Sequence, residues 1–262
     1  MSRTVVICAD DFGMSEGINQ AILELIDLGR LSATSCMTNM LCWTREAAEQ
    51  LQARRHKAAL GLHFNLTEGV HAVPLGKLML KSLVRQLDRQ ALLKQFDEQL
   101  DSFEELIGSA PDFVDGHQHI QMFPVIRELL LDRLQQRYGK QAPWVRASTP
   151  RLSGHDSGFK AMVLRLIGLG FESARRRFHT KGSAAFAGLY SLSPEADFAG
   201  MMQLWLNTEP DGVLIMCHPG KTGDESSLAR ARRREYEWLS SDLFIEALRN
   251  SDRSLHTEPT FS

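Results

Sequence analysis

Val5-Val6-Ile7-Cys8-Ala9-Asp10-Asp11-Phe12-Gly13 joins an apolar, β-branched run directly to two adjacent carboxylates. Such a run reads as a buried strand, and carboxylates at its end are costly unless they are paired or hold a cation. The same design recurs three times: Leu60-Gly61-Leu62-His63 followed by Asn65, Val114-Asp115-Gly116-His117-Gln118-His119, and Leu214-Ile215-Met216-Cys217-His218-Pro219-Gly220. Acids and imidazoles gathered at strand ends, far apart in sequence, are what a metal-dependent hydrolase site requires.

Short apolar runs alternate with longer stretches of helical period along the whole chain. Strands are expected at Thr4–Ala9, Ala33–Met37, Ala59–Phe64, Phe113–Gly116, Trp144–Ala147, Ser183–Phe186 and Val213–Cys217. Helices are expected between them, at Ser15–Leu28, Arg45–Arg54, Arg89–Ile107, Pro124–Arg137, Gly158–Ser173, Pro194–Leu206 and Arg232–Arg249. Ser15 is placed to cap the first helix and Gly29 to end it. This alternation predicts an α/β fold, with mostly parallel strands and outer helices. About seven such units favour a distorted, TIM-like (β/α) barrel over an open sheet, with polar groups at the C-terminal strand ends where barrels keep their sites. No linker divides the chain, so residues 1–249 read as one catalytic domain and 250–262 as a polar tail. Glu68–Lys81, with Gly69, Pro74 and Gly76, reads as a loop over the site.

With 262 residues the chain has ample length for one large core. Its formal charge of -2 gives no electrostatic case for nucleic acid or an anionic membrane as the main partner. No apolar stretch approaches the roughly 20 residues needed to span a bilayer. The cysteines Cys8, Cys36, Cys42 and Cys217 contain no C-x-x-C pair, which points to a reduced, cytoplasmic setting. The basic clusters Arg175–Arg177 and Arg232–Arg234 read as solvated helix faces.

Hydrolysis of this kind needs a cation held by about three protein groups, a carboxylate base and a proton donor for the leaving group. Neighbouring residues on a strand point to opposite faces, so Asp10 and Asp11 share a cavity only where the strand has ended, as Phe12-Gly13 suggests. Each segment alone also has an ordinary structural use: a helix-capping aspartate, a core histidine, a strand-to-loop turn. His117 and His119, at i and i+2 of an extended chain, would face one side together with Asp115. Burying all four segments without a cation would leave several polar groups unsatisfied.

Ala9-Asp10-Asp11-Phe12-Gly13, Gly61-Leu62-His63-Phe64-Asn65-Leu66-Thr67, Asp115-Gly116-His117-Gln118-His119 with Met122-Phe123-Pro124, and Cys217-His218-Pro219-Gly220 occur in this order. The set resembles the YdjC-like carbohydrate deacetylases, a family that includes chitooligosaccharide and hopanoid-biosynthesis deacetylases. The resemblance implies a distorted (β/α) barrel, related in chemistry to NodB-type polysaccharide deacetylases, that removes acetyl from an N-acetylated sugar. It implies one divalent metal, magnesium or zinc, on Asp11, His63 and His117, with Asp10 as base and His218 as proton donor. The family often has a further histidine where this chain has Gln121. That departure leaves the implied metal set intact and bears on the sugar contacts. His119 is open between a partner of a ligand, a substrate contact and an alternative ligand, with Asp115 and Asn65 in similar supporting roles. A homodimer is implied by family analogy alone. The rivals are another metal-dependent hydrolase such as a phosphoesterase, for which Lys221 is the candidate anion clamp, and a sugar-binding protein without turnover.

Overall fold

The computed structural model describes residues 2–224 and 226–262. Its elements run β1 (Arg3–Phe12), α1 (Glu16–Asp27), β2 (Ala33–Cys36), α2 (Arg45–Gln52), β3 (Ala59–Phe64), α3 (Leu75–Leu83), α4 (Arg89–Ile107), β4 (Phe113–Gly116), α5 (Ile126–Tyr138) and β5 (Trp144–Val145). They continue with α6 (Gly158–Ile167), α7 (Phe171–Arg177), β6 (Phe186–Ala187), α8 (Phe198–Thr208), β7 (Val213–Cys217), α9 (Ala229–Ser240), α10 (Asp242–Asn250) and β8 (Arg253–Leu255).

The strands form one parallel sheet in the order β5-β4-β3-β2-β1-β7-β6, with β8 paired to the first residues of β1. A parallel bridge from Val145 to Gly182 draws the two edges together, so the sheet curls toward the expected distorted barrel with its helices outside. β1 is the axis of this arrangement: Val5 to Ala9 pair with Val213 to Cys217, while Cys8 and Ala9 pair with Ala33 and Thr34. Every residue of Val5–Ala9 is fully buried, as a strand covered on both faces must be. Gly61 in β3 has a steric reason, because a Cβ there would lie 2.5 Å from the Phe113 ring of β4. That ring stacks on Trp144 of β5 at 4.5 Å between centroids, which joins three strands through one aromatic contact. Helix α1 begins as expected: Ser15 accepts from the Ile18 amide and Gly29 follows the end at φ 66°.

Four expectations need correction. The segment taken as a loop contains α3, whose Leu78 is buried while Leu75 and Met79 pack against the core. Gly158–Ser173 is two helices, because Gly170 takes a left-handed φ of 87° between them. Arg232–Arg249 is likewise divided, by an extended Ser241 between α9 and α10. The residues after 249 are no tail, since β8 completes the sheet beside β1 and Phe261 bridges to Ser183. Arg253 anchors that segment by donating to the backbone oxygens of Thr4 at 2.9 Å and Leu206 at 2.5 Å. A polar stretch therefore becomes ordered through backbone pairing and one buried arginine, which hydrophobic periodicity does not reveal. No helix among the described residues is long and apolar enough to cross a membrane.

Candidate active site

The two aspartates do not sit beyond the end of β1 but inside it. Between Ala9 and Phe12 the register against β2 slips by one residue, and Asp11 takes φ 72°. This bulge, rather than strand termination, breaks the alternation of side chains and lets both carboxylates reach the same cavity. A left-handed aspartate is strained, and such strain gathers at functional sites.

Asp11 Oδ1 lies 3.2 Å from His63 Nε2 and 3.0 Å from His117 Nδ1, with all three residues buried. One donor atom from each falls within 4.8 Å of the others, so a carboxylate oxygen and two imidazole nitrogens converge at a single point. His63 Nδ1 faces Asp115 Oδ1 at 2.6 Å, an arrangement that fixes the ring and directs Nε2 toward Asp11. Burial opposes charge on His63, yet Asp115 and Asp10 outweigh it and lift the imidazole to about 10. His117 is raised too, burial being overcome by Asp11. Imidazoles drawn toward the cationic form by surrounding carboxylates mark a site arranged for positive charge, and the O,N,N donor set fits a divalent ion.

Asp10 faces a different group. Arg146, just past β5, grips it through Nη1 to Oδ1 and Nη2 to Oδ2, both 2.7 Å, and reaches Asp115 Oδ2 at 3.0 Å. Burial pushes the Asp10 carboxyl up, but Arg146 outweighs it and holds the group down at about 2. The second oxygen of Asp11 is taken by Arg232 of α9 at 2.5 Å, which, against burial, keeps this carboxyl well below the usual range.

His218 follows β7 and stands opposite, its Nε2 4.0 Å from Asp10 Oδ2. Burial lowers its pKa to about 4, so the ring is neutral at pH 7. Its backbone amide donates to Glu235 Oε2 at 2.5 Å, and Tyr190 Oη donates to Glu235 Oε1 at 2.5 Å. Glu235 has no exposed surface, and burial lifts it to about 7. Tyr190 and His218 line a cavity of about 910 Å³ with Asp10, Asp11, His63 and His117, together with apolar walls from Leu75, Met79, Val163, Leu164, Ile167 and Leu189, while Glu235 lies behind Tyr190 and His218.

Of the residues singled out in the sequence, Asp10, Asp11, His63, His117, His119 and His218 all line this cavity. Asp115 stands behind His63 and Arg146. Asn65 does not join them: its side chain accepts from the Thr67 and Glu68 amides and donates to Asn39, shaping the loop that carries Glu68. The premise of an extended 117–119 pair also fails, since β4 stops at Gly116 and Gln118 and His119 take φ 54° and 61° within a 3-10 turn. His119 therefore packs its ring edge on Phe186, and burial lowers its pKa to about 3. Lys221 is no anion clamp, because it pairs with Glu24 at 2.7 Å near the surface.

Arg146, Arg232, Glu235 and Tyr190 are absent from the sequence-based site. Arg232 and Arg175 correct the picture of solvated basic faces: both are buried, Arg175 on Glu172 and the Thr180 carbonyl, Arg232 on Asp11. A signal for Arg232 existed in the spacing of Arg232, Glu235 and Leu239, which puts two charges on the buried stripe of α9. Arg146 followed the pattern of the other segments, a polar group directly after an apolar strand.

A sequence model of the family described as YdjC-like protein matches residues 4–250. The chain belongs to this YdjC-like family. Among its curated relatives, a carbohydrate deacetylase of Homo sapiens is 32% identical over 148 residues, covering 50% of this chain and 45% of the relative. A chitooligosaccharide deacetylase of Proteus mirabilis (strain HI4320) is 30% identical over 147 residues, covering 52% of this chain and 57% of the relative. The chain thus matches about half the length of these relatives. In three dimensions, this YdjC-like chain is similar to a crystal structure from Enterococcus faecalis V583 described as a candidate cellobiose-phosphate cleavage protein. The TM-score is 0.71 at 20% identity, over 98% of this chain and 97% of the other. A peptidoglycan N-acetylglucosamine deacetylase matches with TM-score 0.56 at 12% identity, over 97% of this chain and 85% of its own. Both likenesses establish the barrel-like fold.

Proposed function

We propose that this chain is a metal-dependent carbohydrate N-deacetylase that hydrolyses the acetamide of an N-acetylated amino sugar to acetate and the free amine. The carrying observation is the convergence of Asp11, His63 and His117 beside Asp10 and His218, which stand on two sides of one cavity. A divalent cation on Asp11, His63 and His117, magnesium or zinc, would supply Lewis-acid polarisation of the carbonyl and make a neighbouring water more acidic.

Asp10 takes the proton of the attacking water. Its fork-to-fork contact with Arg146 fixes both oxygens in direction, and directed geometry is worth as much to a general base as its pKa. His218, neutral in the resting site, receives a proton and passes it to the amine nitrogen as the C–N bond breaks. His218 Nε2 stands 4.0 Å from Asp10 Oδ2, beyond hydrogen-bond reach, so the proton passes between them by way of the reacting group or a water held between the two side chains. Arg232 holds the other oxygen of Asp11, and the apolar walls limit water around the reacting bond.

Names of relatives support the substrate class, since deacetylases of carbohydrates and chitooligosaccharides share the matched region. Among the described residues a second donor set, Cys8, Asp10 and Asp115, also converges, but the Arg146 guanidinium lies 2.7 Å from Asp10 and 3.0 Å from Asp115, which weighs against a two-metal phosphoesterase. A reducing, cytoplasmic setting agrees with four free cysteines. The deciding assay is metal-dependent acetate release from N-acetylated mono-, di- and lipid-linked sugars, set against phosphate-ester cleavage. Phosphate release without acetate release would overturn the proposal.

A further inference from the structure

The cavity mouth is flanked by two short helices whose residues form its wall and continue outward into solvent. Helix α3 contributes Leu75 and Met79 to the wall, and α6 contributes Phe159, Val163 and Ile167. On their outer sides α3 and the residue after it expose Leu80, Leu83 and Val84, and α6 exposes Phe159, Met162 and Leu166. Phe159 is 74% exposed and Leu80 62%, so the described residues leave most of these side chains uncovered. An apolar rim continuous with a cavity is more than scattered surface hydrophobicity, and contiguous apolar surface ringed by polar groups marks an interaction site.

The charges in the same segments have one sign. Between Glu68 and Asp88 the chain carries Lys77, Lys81 and Arg85 and no acid; between Asp156 and Glu172 it carries Lys160 and Arg165 and no acid. All five are exposed. Lys160 and Arg165 donate to the backbone oxygens of Ser191 and Pro150, and Arg85 has Glu128 only at 3.8 Å. The chain as a whole has a formal charge of -2, so this positive rim is a local departure from its surroundings.

We propose that the α3 and α6 rim docks on an anionic lipid bilayer, with leucines and Phe159 entering the headgroup region and the five basic side chains meeting lipid phosphates. Apolar residues flanked by Lys and Arg are the combination that holds a surface helix in a membrane interface. Self-association through the same face is disfavoured by its charge, because a two-fold contact would bring two sets of these five basic side chains together. The cavity mouth then opens at the level of the headgroups. The net charge conceals this partner; the distribution of charge reveals it.

The test is co-sedimentation of the full chain with vesicles of phosphatidylcholine alone and of phosphatidylcholine mixed with phosphatidylglycerol. Binding is expected to the mixed vesicles and not to the neutral ones, and to weaken as salt is raised. A Leu83→Glu, Leu166→Glu variant should lose on the order of tenfold or more in partitioning, and Lys77→Gln with Lys81→Gln roughly fivefold for each lysine. None of these residues lines the cavity, so metal binding and the circular dichroism spectrum should stay at wild-type values and show that the variants are folded. Equal binding to both vesicle types, no binding to either, or undiminished binding by the leucine variant overturns the proposal. So does a dimer, measured by sedimentation without lipid, that the leucine variant dissolves while vesicle binding is absent, an outcome that assigns the rim to a second copy. Acetate release from a soluble N-acetyl sugar, measured in parallel, keeps failure of docking separate from failure of the deacetylase assignment.

Discussion

Arg146 and Asp10 meet through two parallel hydrogen bonds of 2.7 Å where the guanidinium is fully buried and the carboxylate almost so. Arg146→Ala would leave Asp10 and Asp115 as buried acids without their cation. Breaking a buried pair from one side costs about 3–5 kcal/mol, so urea unfolding should show a loss of that order. Adding Asp10→Asn should restore part of it, because the stranded charge is then removed. A loss under about 1 kcal/mol for Arg146→Ala would show that the pair is not needed to neutralise the site.

The two neighbouring aspartates should separate by metal content. Asp11→Asn, His63→Ala and His117→Ala remove converging donors and should bind divalent ion weakly, as measured by elemental analysis after dialysis. Asp10→Asn should keep the ion and lose turnover by about 10²–10⁴-fold, the usual scale for a general base. Equal metal loss in Asp10→Asn and Asp11→Asn would contradict the division of roles.

His218→Ala should retain both fold and metal, since its ring contacts neither His63 nor His117 by hydrogen bond. Turnover of an acetamide should fall strongly, because a poor amine leaving group needs the proton. An activated acetyl ester, whose leaving group departs without protonation, should suffer much less. Equal losses on both substrates, in rates measured side by side, would move His218 from proton donation to orientation.

Glu235 makes stability depend on pH in a defined window. Its folded pKa of about 7 lies above the ordinary 4.5, so the folded state holds the proton more tightly than the unfolded one. Its neutral form therefore contributes fully below about 4.5, and that contribution is lost as pH rises through 7, roughly 3 kcal/mol in all. Glu235→Gln imitates the neutral acid, accepting from the His218 amide and donating to Tyr190. Unfolding free energies measured from pH 4.5 to 7.5 should converge at the acidic end and favour the variant at the other. A constant difference across the range would rule out titration of this group.

The strands that carry chemistry are legible because they are fully buried: β3, β4 and β7 have the expected limits, and each contains or leads into its site residue. Burial on both faces gives continuous apolar runs, and polar groups stand out against them. What escapes the sequence is held by backbone pairing and local geometry rather than by hydrophobic burial. β8 depends on pairing with β1 and on Arg253; the bulge at Asp11 depends on backbone geometry that Ala9-Asp10-Asp11 does not announce. Arg146 and Arg232 escape for another reason, because an arginine reads as a surface residue until the acid it neutralises is placed beside it. The 117–119 segment shows the converse error, where an assumed extended chain turns into a left-handed pair within two residues of the strand.

Because β1 lies between β2 and β7, the centre of the sheet is assembled from segments about 200 residues apart, Val5 to Ala9 on one side and Val213 to Cys217 on the other. At the usual synthesis rate of about 5–20 residues per second, the β7-facing edge of β1 waits roughly 10–40 s for its partner on the ribosome. During that interval an apolar strand with unpaired amides and carbonyls is available to other chains, the condition under which edges associate wrongly. Pairings this distant also slow folding after release. Expression should therefore respond to chaperone supply and to slower growth temperature more than the thermodynamic stability of the finished barrel would suggest, and the same late step that closes the sheet brings His218 to the aspartates.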